Sequence, residues 1–138
     1  MKIKIKATTP CYKFINATPE AQIDKIREEV EEVAAAWAEF KADKNQENLK
    51  NLLMELLDVK ACVNTALVQI EQAAYKYDKE IIKAQPHNMS EDEYFGKNGV
   101  GKLLQFFSAY PAAKDAVIKK NMRRGYYLKP EEGSGNHE

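Results

Sequence analysis

This chain of 138 residues lacks most of what would mark a secreted, membrane-spanning or duplex-binding protein. Its two cysteines, Cys11 and Cys62, stand in no metal-ligand spacing, so neither a disulfide scaffold nor a cysteine-based zinc site is expected. No positively charged stretch leads into an apolar run of the signal-peptide kind, and no run approaches the roughly 20 apolar residues that cross a bilayer. The expectation is a cytoplasmic protein with no membrane partner. Excess charge is also missing. Its 21 Lys and Arg balance 21 Asp and Glu, which removes the broad positive field that a nucleic acid polymer requires. The length is that of one domain, large enough to bury a core without covalent staples, and no internal repeat is visible.

The charge that is present is unevenly placed. From Pro19 to Asp43 eight acidic residues face three basic ones, whereas Ala113 to Lys129 holds six basic residues and one acidic. One region suits cations and the other suits phosphate. Lys2 to Lys6 alternate Lys and Ile, the pattern of an edge strand or an extended arm. Thr18, Pro19 and Glu20 then form a helix start, with a capping hydroxyl, proline at the first helical position and acid at the positive helix end. Ile23, Ile26, Val30, Val33, Trp37 and Phe40 recur at helical spacing and predict a helix to about Phe40 with that stripe buried. A polar turn, Lys41 to Asn45, leads to a second helix from about Gln46. Its apolar face is Leu49, Leu52, Leu53, Leu56, Val59, Val63, Leu67 and Ile70, and nothing breaks it before Pro86. Ser90 with Glu93 reads as a capping box for a short helix of uncertain length beside Gly96 and Gly99. Pro111 is expected to open a final helix that ends at Gly125. The organisation is therefore an N-terminal arm (1–18), an all-α domain (19–129) and a flexible tail (130–138).

Four acids stand out by position. On a helical wheel Glu29 and Glu32 of the first helix flank the apolar arc on one side, and Glu55 and Asp58 of the second helix occupy the same two angular places beside its own arc. In each pair the first acid lies closer to the arc than the second. In an antiparallel hairpin centred between Asp43 and Lys44, Glu32 faces the level of Glu55 and Glu29 that of Asp58, so four carboxylates converge beside the seam. Glu28 and Glu31 project away from it. Four ionised acids in one place repel by several kcal/mol unless they share protons or hold a cation. Magnesium fits an all-oxygen, partly hydrated site of this kind. Each acid taken singly is also an ordinary helix former on a solvated flank.

The pair Glu29-Val30-Glu31-Glu32 and Glu55-Leu56-Leu57-Asp58, separated by a spacer that contains the turn, resembles the ExxE and ExxD motifs of the MazG-like all-α nucleoside triphosphate pyrophosphatases. The likeness covers about Pro19 to Leu67 and extends weakly to Lys119-Lys120-Asn121-Met122-Arg123-Arg124-Gly125, similar to that family's basic C-terminal helix. Met54 stands where members often carry a further acid, and the Ile-Lys arm is not a usual feature. The resemblance implies a magnesium-dependent hydrolase, with manganese able to substitute, that cleaves a nucleoside triphosphate to the monophosphate and pyrophosphate. It implies Glu29, Glu32, Glu55 and Asp58 as the catalytic, metal-holding set and a homodimer or homotetramer. With so wide an apolar stripe, the fold expectation is an antiparallel bundle of four or more helices completed by oligomerisation.

Lys120, Asn121 and Arg124 are candidates for the β- and γ-phosphates if the last helix packs over the acidic hairpin, although basic residues there also complement the helix dipole. Glu29 is the first choice for a proton acceptor. Trp37 is expected in the core rather than against a base, Cys62 as a small spacer beside the site, and His87 and His137 without a catalytic role. Tyr126 and Tyr127 either close over a nucleotide or pack beneath the C-terminal segment. Two other classes remain open: a non-catalytic helical interaction module whose acids are solvated, and a weaker one, a single-strand nucleic acid binder using the basic helix with Tyr126 and Tyr127.

Overall fold

The computed structural model describes residues 4–90, 92–94 and 101–130. The expectations for Lys2 and Ile3, for Gly96 and Gly99, and for the tail from Glu131 with His137 fall outside them. The protein is all-helical, with no strand among the described residues. Lys4, Ile5 and Lys6 are exposed and carry no regular structure. A single 3-10 turn, Tyr12–Phe14, precedes α1 (Pro19–Ala42), α2 (Gln46–Lys83) and α3 (Lys102–Arg123). The chain divides into two compact units, Met1–Lys102 and Leu103–Glu138, and each is described by itself.

Local chemistry sets the helix ends. The Thr18 hydroxyl accepts from the Ala21 N–H at 3.3 Å, with Pro19 at the first position and Glu20 in the first turn. Asn45 caps α2 by accepting from the Asn48 N–H at 2.7 Å, so the connection between α1 and α2 is short and forces the helices antiparallel. Such short connections leave adjacent helices little choice but to pack on each other, and α1 and α2 do so. The capping box is formed at Ser90, whose hydroxyl accepts from the Glu93 N–H at 3.2 Å. In the second unit, Gly125 takes φ 73°, the Gly125 N–H donates to Met122 C=O and the Tyr126 N–H to Asn121 C=O. This pair of hydrogen bonds ends a helix where glycine tolerates the left-handed backbone.

Two expectations are corrected here. Pro111 does not open the last helix but lies inside it, because α3 begins well before it, at Lys102. There the Asp78 Oδ1 accepts from the Gly101 and Lys102 N–H groups, at 3.2 and 2.9 Å, and so satisfies two amides of the first turn. An interior proline removes one helix bond and crowds the preceding turn, a cost that the remaining turns of α3 absorb.

The second correction concerns the apolar stripes, of which only one flank is in the hairpin's core: Ile26, Val33, Phe40, Leu49, Leu52, Val59 and Leu67 are wholly or partly protected, and the rest of the stripe is not. Val30 is 51 % exposed, Trp37 49 % and Leu53 50 %, and Ile23, Leu56, Val63 and Ile70 stay exposed too. Protection is centred on a narrower line, through Gln22, Ile26, Glu29, Val33, Ala36 and Phe40 on α1, and Asn48, Leu52, Glu55, Val59, Cys62, Ala66 and Gln69 on α2, with the buried Ala61 and Thr65 beside it where the arm packs. Both lines step by four and three residues, the spacing of a narrow two-helix seam. Two helices alone cover only that seam, and the outer flanks of the wide apolar arcs stay in solvent. Polar and acidic side chains therefore take up part of the hairpin's core.

At the open end of the hairpin this polarity is matched by the arm. Gln69 Nε2 donates to Phe14 C=O at 2.9 Å and to Gln22 Oε1 at 3.4 Å. Gln22 Nε2 donates to Cys62 C=O at 3.0 Å. The Cys11 N–H donates to Thr65 Oγ1 at 2.9 Å, and Asn64 Nδ2 to Thr8 C=O at 2.7 Å. A segment with no strand or helix partner of its own thus meets its backbone needs through side chains of α2.

Candidate metal centre

Glu29 and Glu55 occupy seam positions near the middle of the hairpin, and Glu32 lies one turn along α1 from Glu29. One carboxylate oxygen of each of these three residues lies within 4.8 Å of the others. The expected pairing of levels is seen for Glu32 and Glu55, whose carboxyls interact directly. Asp58, the fourth acid, is exposed and stands outside this group; the side chain that meets Glu29 is instead Lys25. Lys25 Nζ lies 2.9 Å from Glu29 Oε1 and 3.7 Å from Glu28 Oε2. The hydrogen bond to Glu29, followed by its charge, raises the Lys25 ammonium above its ordinary range. Lys25 is absent from the sequence-based site, although its i,i+4 spacing to Glu29 was the available signal.

Burial grades the three acids. Glu29 is 6 % exposed, Glu55 is half-buried and Glu32 is exposed, which agrees with the closer angular approach of Glu29 and Glu55 to the apolar arcs. Hydrogen bonding to Glu55, then the negative charge of Glu29, then partial desolvation hold the Glu32 carboxyl above the ordinary carboxylate range, against the pull of Lys25. Burial first, and the Glu29 charge second, push the neighbouring Cys62 thiol up. Each cause has the same origin, negative charge crowded into a poorly solvated seam.

Three buried side-chain oxygens have no hydrogen-bond partner among the described residues: Gln69 Oε1 at the open end, and Glu29 Oε2 and Glu55 Oε2 in the acidic group. Leaving one buried polar atom unsatisfied costs about 1–3 kcal/mol, and more when it is charged. The two carboxylate oxygens together cost a large fraction of a domain's net stability of about 5–15 kcal/mol. Their donor chemistry suits a hard divalent cation, which accepts carboxylate oxygens from several residues and retains water. Glu29, Glu32 and Glu55 could together present three such oxygens.

Two of the other expected site residues have partners of their own. Asn121 Nδ2 donates to the Tyr127 hydroxyl at 3.3 Å, and the Arg124 guanidinium lies 5.6 Å from the centre of the Tyr126 ring. Lys120 is exposed. These belong to the second unit, where Tyr126 is the partner of Arg124 and Tyr127 that of Asn121. His87 is exposed and outside the acidic group. The two cysteines are free thiols, and no described helix is long and apolar enough to cross a membrane.

Compared with protein-family models, with curated proteins and with solved structures, the chain gives no match in any of the three. The class that fold and site define is thus an all-helical protein with an acidic, under-satisfied hairpin seam, and its function is argued from that seam.

Proposed function

We propose that the protein is a magnesium-dependent nucleoside triphosphate pyrophosphohydrolase, releasing pyrophosphate and the nucleoside monophosphate. The observation that carries this reading is the convergence of the Glu29, Glu32 and Glu55 carboxylates, two of which, Glu29 and Glu55, each keep a buried oxygen without a partner among the described residues. Glu29, Glu32 and Glu55 would hold the metal, with manganese able to substitute, and Asp58 would join through water or after a modest side-chain movement. A bound divalent ion supplies charge neutralisation for the phosphates and an acidified water. Glu29 anchors the site, since burial and the Lys25 contact fix its carboxylate. Glu32, exposed at the edge of the group where a water can reach it, is the proposed proton acceptor in place of the buried Glu29. Lys120, Asn121 and Arg124 are the proposed phosphate contacts.

The half-exposed flanks at Val30, Trp37 and Leu53 support completion of the bundle to four or more helices by a second or further copies, as a homodimer or homotetramer, in the reducing cytoplasm. The same flanks favour the rival reading, an interaction module without chemistry. Pyrophosphate release from a panel of nucleoside triphosphates, with and without magnesium, separates the two. Magnesium-dependent release that disappears in Glu55→Ala supports the hydrolase, and a folded protein that releases none from any nucleotide leaves the interaction module.

A further inference from the structure

A cavity of about 260 Å³ opens between the arm and the hairpin, walled by Phe14, Ala17, Ala21 and the two thiols of Cys11 and Cys62, with Gln22 and Lys25 at its polar side. Lys25 belongs to both features: it lines this cavity and bonds Glu29 of the acidic group at 2.9 Å. A ligand held in the cavity therefore sits one side chain away from the metal-binding oxygens. The volume is below the roughly 300–1,000 Å³ of pockets that enclose a whole drug-sized ligand. It suits one planar ring system, whose polar remainder would lie outside, past Lys25.

We infer that this cavity takes the nucleobase of the substrate and selects it by bulk, not by the hydrogen-bond pattern of its edge. The inference rests on the hydrolase reading for the identity of the ligand, and on the lining for its mode of recognition. The Gln22 amide, the one neutral polar side chain of the wall, is committed to the protein: its Nε2 donates to Cys62 C=O and its Oε1 accepts from Gln69. Lys25 is committed to Glu29 and Glu28. The remaining side chains are an aromatic ring, two methyl groups and two thiols, the last being weak donors at best. Such a wall holds a base through area and ring contact, its polar edge left toward the open side where Cys11, Ala17 and Ala21 are exposed and water can satisfy it; an apolar pocket rejects an isostere poorly, whereas a pocket that bonds an edge rejects the wrong one by about 10⁴–10⁵-fold. The substrate class is accordingly nucleoside triphosphates of either pyrimidine edge, with bulk as the limit.

Cytosine and uracil test this directly, since they are close in size and carry opposite donor and acceptor patterns. The kcat/KM values for CTP and UTP are expected to agree within about tenfold. Ala21→Phe, which fills the cavity, is expected to raise KM at least about tenfold for both while leaving manganese binding unchanged. The wild-type protein supplies a readout free of catalysis: cytidine and uridine should each slow iodoacetamide labelling of Cys11, followed by peptide mass. A separation of CTP from UTP by more than about 1,000-fold overturns the inference. So does metal-dependent release, lost in Glu55→Ala, that is indifferent to Ala21→Phe with no thiol protection by nucleosides; the hydrolase reading then survives alone. Protection by both nucleosides with no pyrophosphate released from any nucleotide supports the cavity and removes the hydrolase.

Discussion

The two halves of the hairpin seam bury polarity of different charge. At the open end Gln22, Thr65 and Gln69 are buried and neutral, and their side chains bond the arm, each other and the α2 backbone, with Gln69 Oε1 left without a partner among the described residues. Nearer the turn, Glu29 and Glu55 are protected in the same seam, yet each keeps an oxygen without a partner among the described residues. Buried groups that satisfy each other specify a structure, whereas buried groups left unsatisfied are a cost that only something outside the chain can remove. The neutral Gln69 Oε1 bears the smaller part of that cost and the carboxylate oxygens the larger, so the acidic half is where a cation would relieve most.

The sharpest way to break the comparison is by substitution at one position in each half. Glu55→Ala should lower magnesium-dependent pyrophosphate release by more than about 100-fold, since loss even of outer partners of a metal ligand costs about 10–100-fold. In metal-free buffer Glu55→Leu should stabilise the fold by about 1–3 kcal/mol, as apolar replacement of a poorly satisfied buried charge commonly does. Gln69→Leu should act with the opposite sign, destabilising by about 1–3 kcal/mol, because Phe14 C=O and Gln22 Oε1 lose their donor. Chemical denaturation of both variants reads the two signs side by side, and a shared sign would erase the distinction between the halves.

Proton linkage sharpens it further. The Glu32 carboxyl binds its proton more tightly in the folded chain than in the unfolded one. Its contribution to stability is therefore complete below the ordinary carboxylate pKa and is lost as pH rises through the elevated folded value. Melting temperatures of the metal-free protein should fall across that window, Glu32→Gln should flatten the slope, and magnesium should reverse it by replacing the shared proton. At Lys25 the partner sets the effect: Lys25 is half exposed, but Lys25→Met leaves Glu29 Oε1 in the seam without its donor and should destabilise the metal-free fold by about 1–3 kcal/mol. Removing its positive charge should nevertheless tighten manganese binding and raise the Glu32 pKa, which isothermal titration and carboxyl NMR would register.

How much of this is readable in the sequence depends on the range over which each signal acts. Thr18-Pro19, the turn before Gln46, the Ser90 cap and Gly125 are legible because capping is local. The closeness of Glu29, Glu32 and Glu55 follows from angle and register, which a short turn preserves. The exposure of the stripes is not legible, because periodicity shows which positions are apolar and not how many neighbours a single chain supplies; Trp37 and Val30 carry the signature of a core and half of it stays in solvent. Pro111 misleads because proline has the same signature at a first turn and within a long helix. Asp58 shares the level of Glu29 by register, but Lys25 reaches Glu29 from the same helix. The arm is unreadable, since its partners Asn64, Thr65 and Gln69 lie 54 to 56 residues away.

That separation has a consequence for the order of assembly. The hairpin closes across a short turn, whereas the arm can dock only after α2 exists and presents Asn64, Thr65 and Gln69 on one surface. Chain closure over such distances is slow relative to local helix pairing. The wall formed by Cys11 and Phe14 is then the last part of the cavity to arrive and the first to open in native fluctuations. Amide exchange at Cys11 should outrun exchange in the middle of α2, and binding at the cavity would be gated by undocking of the arm and not by any movement of the helices.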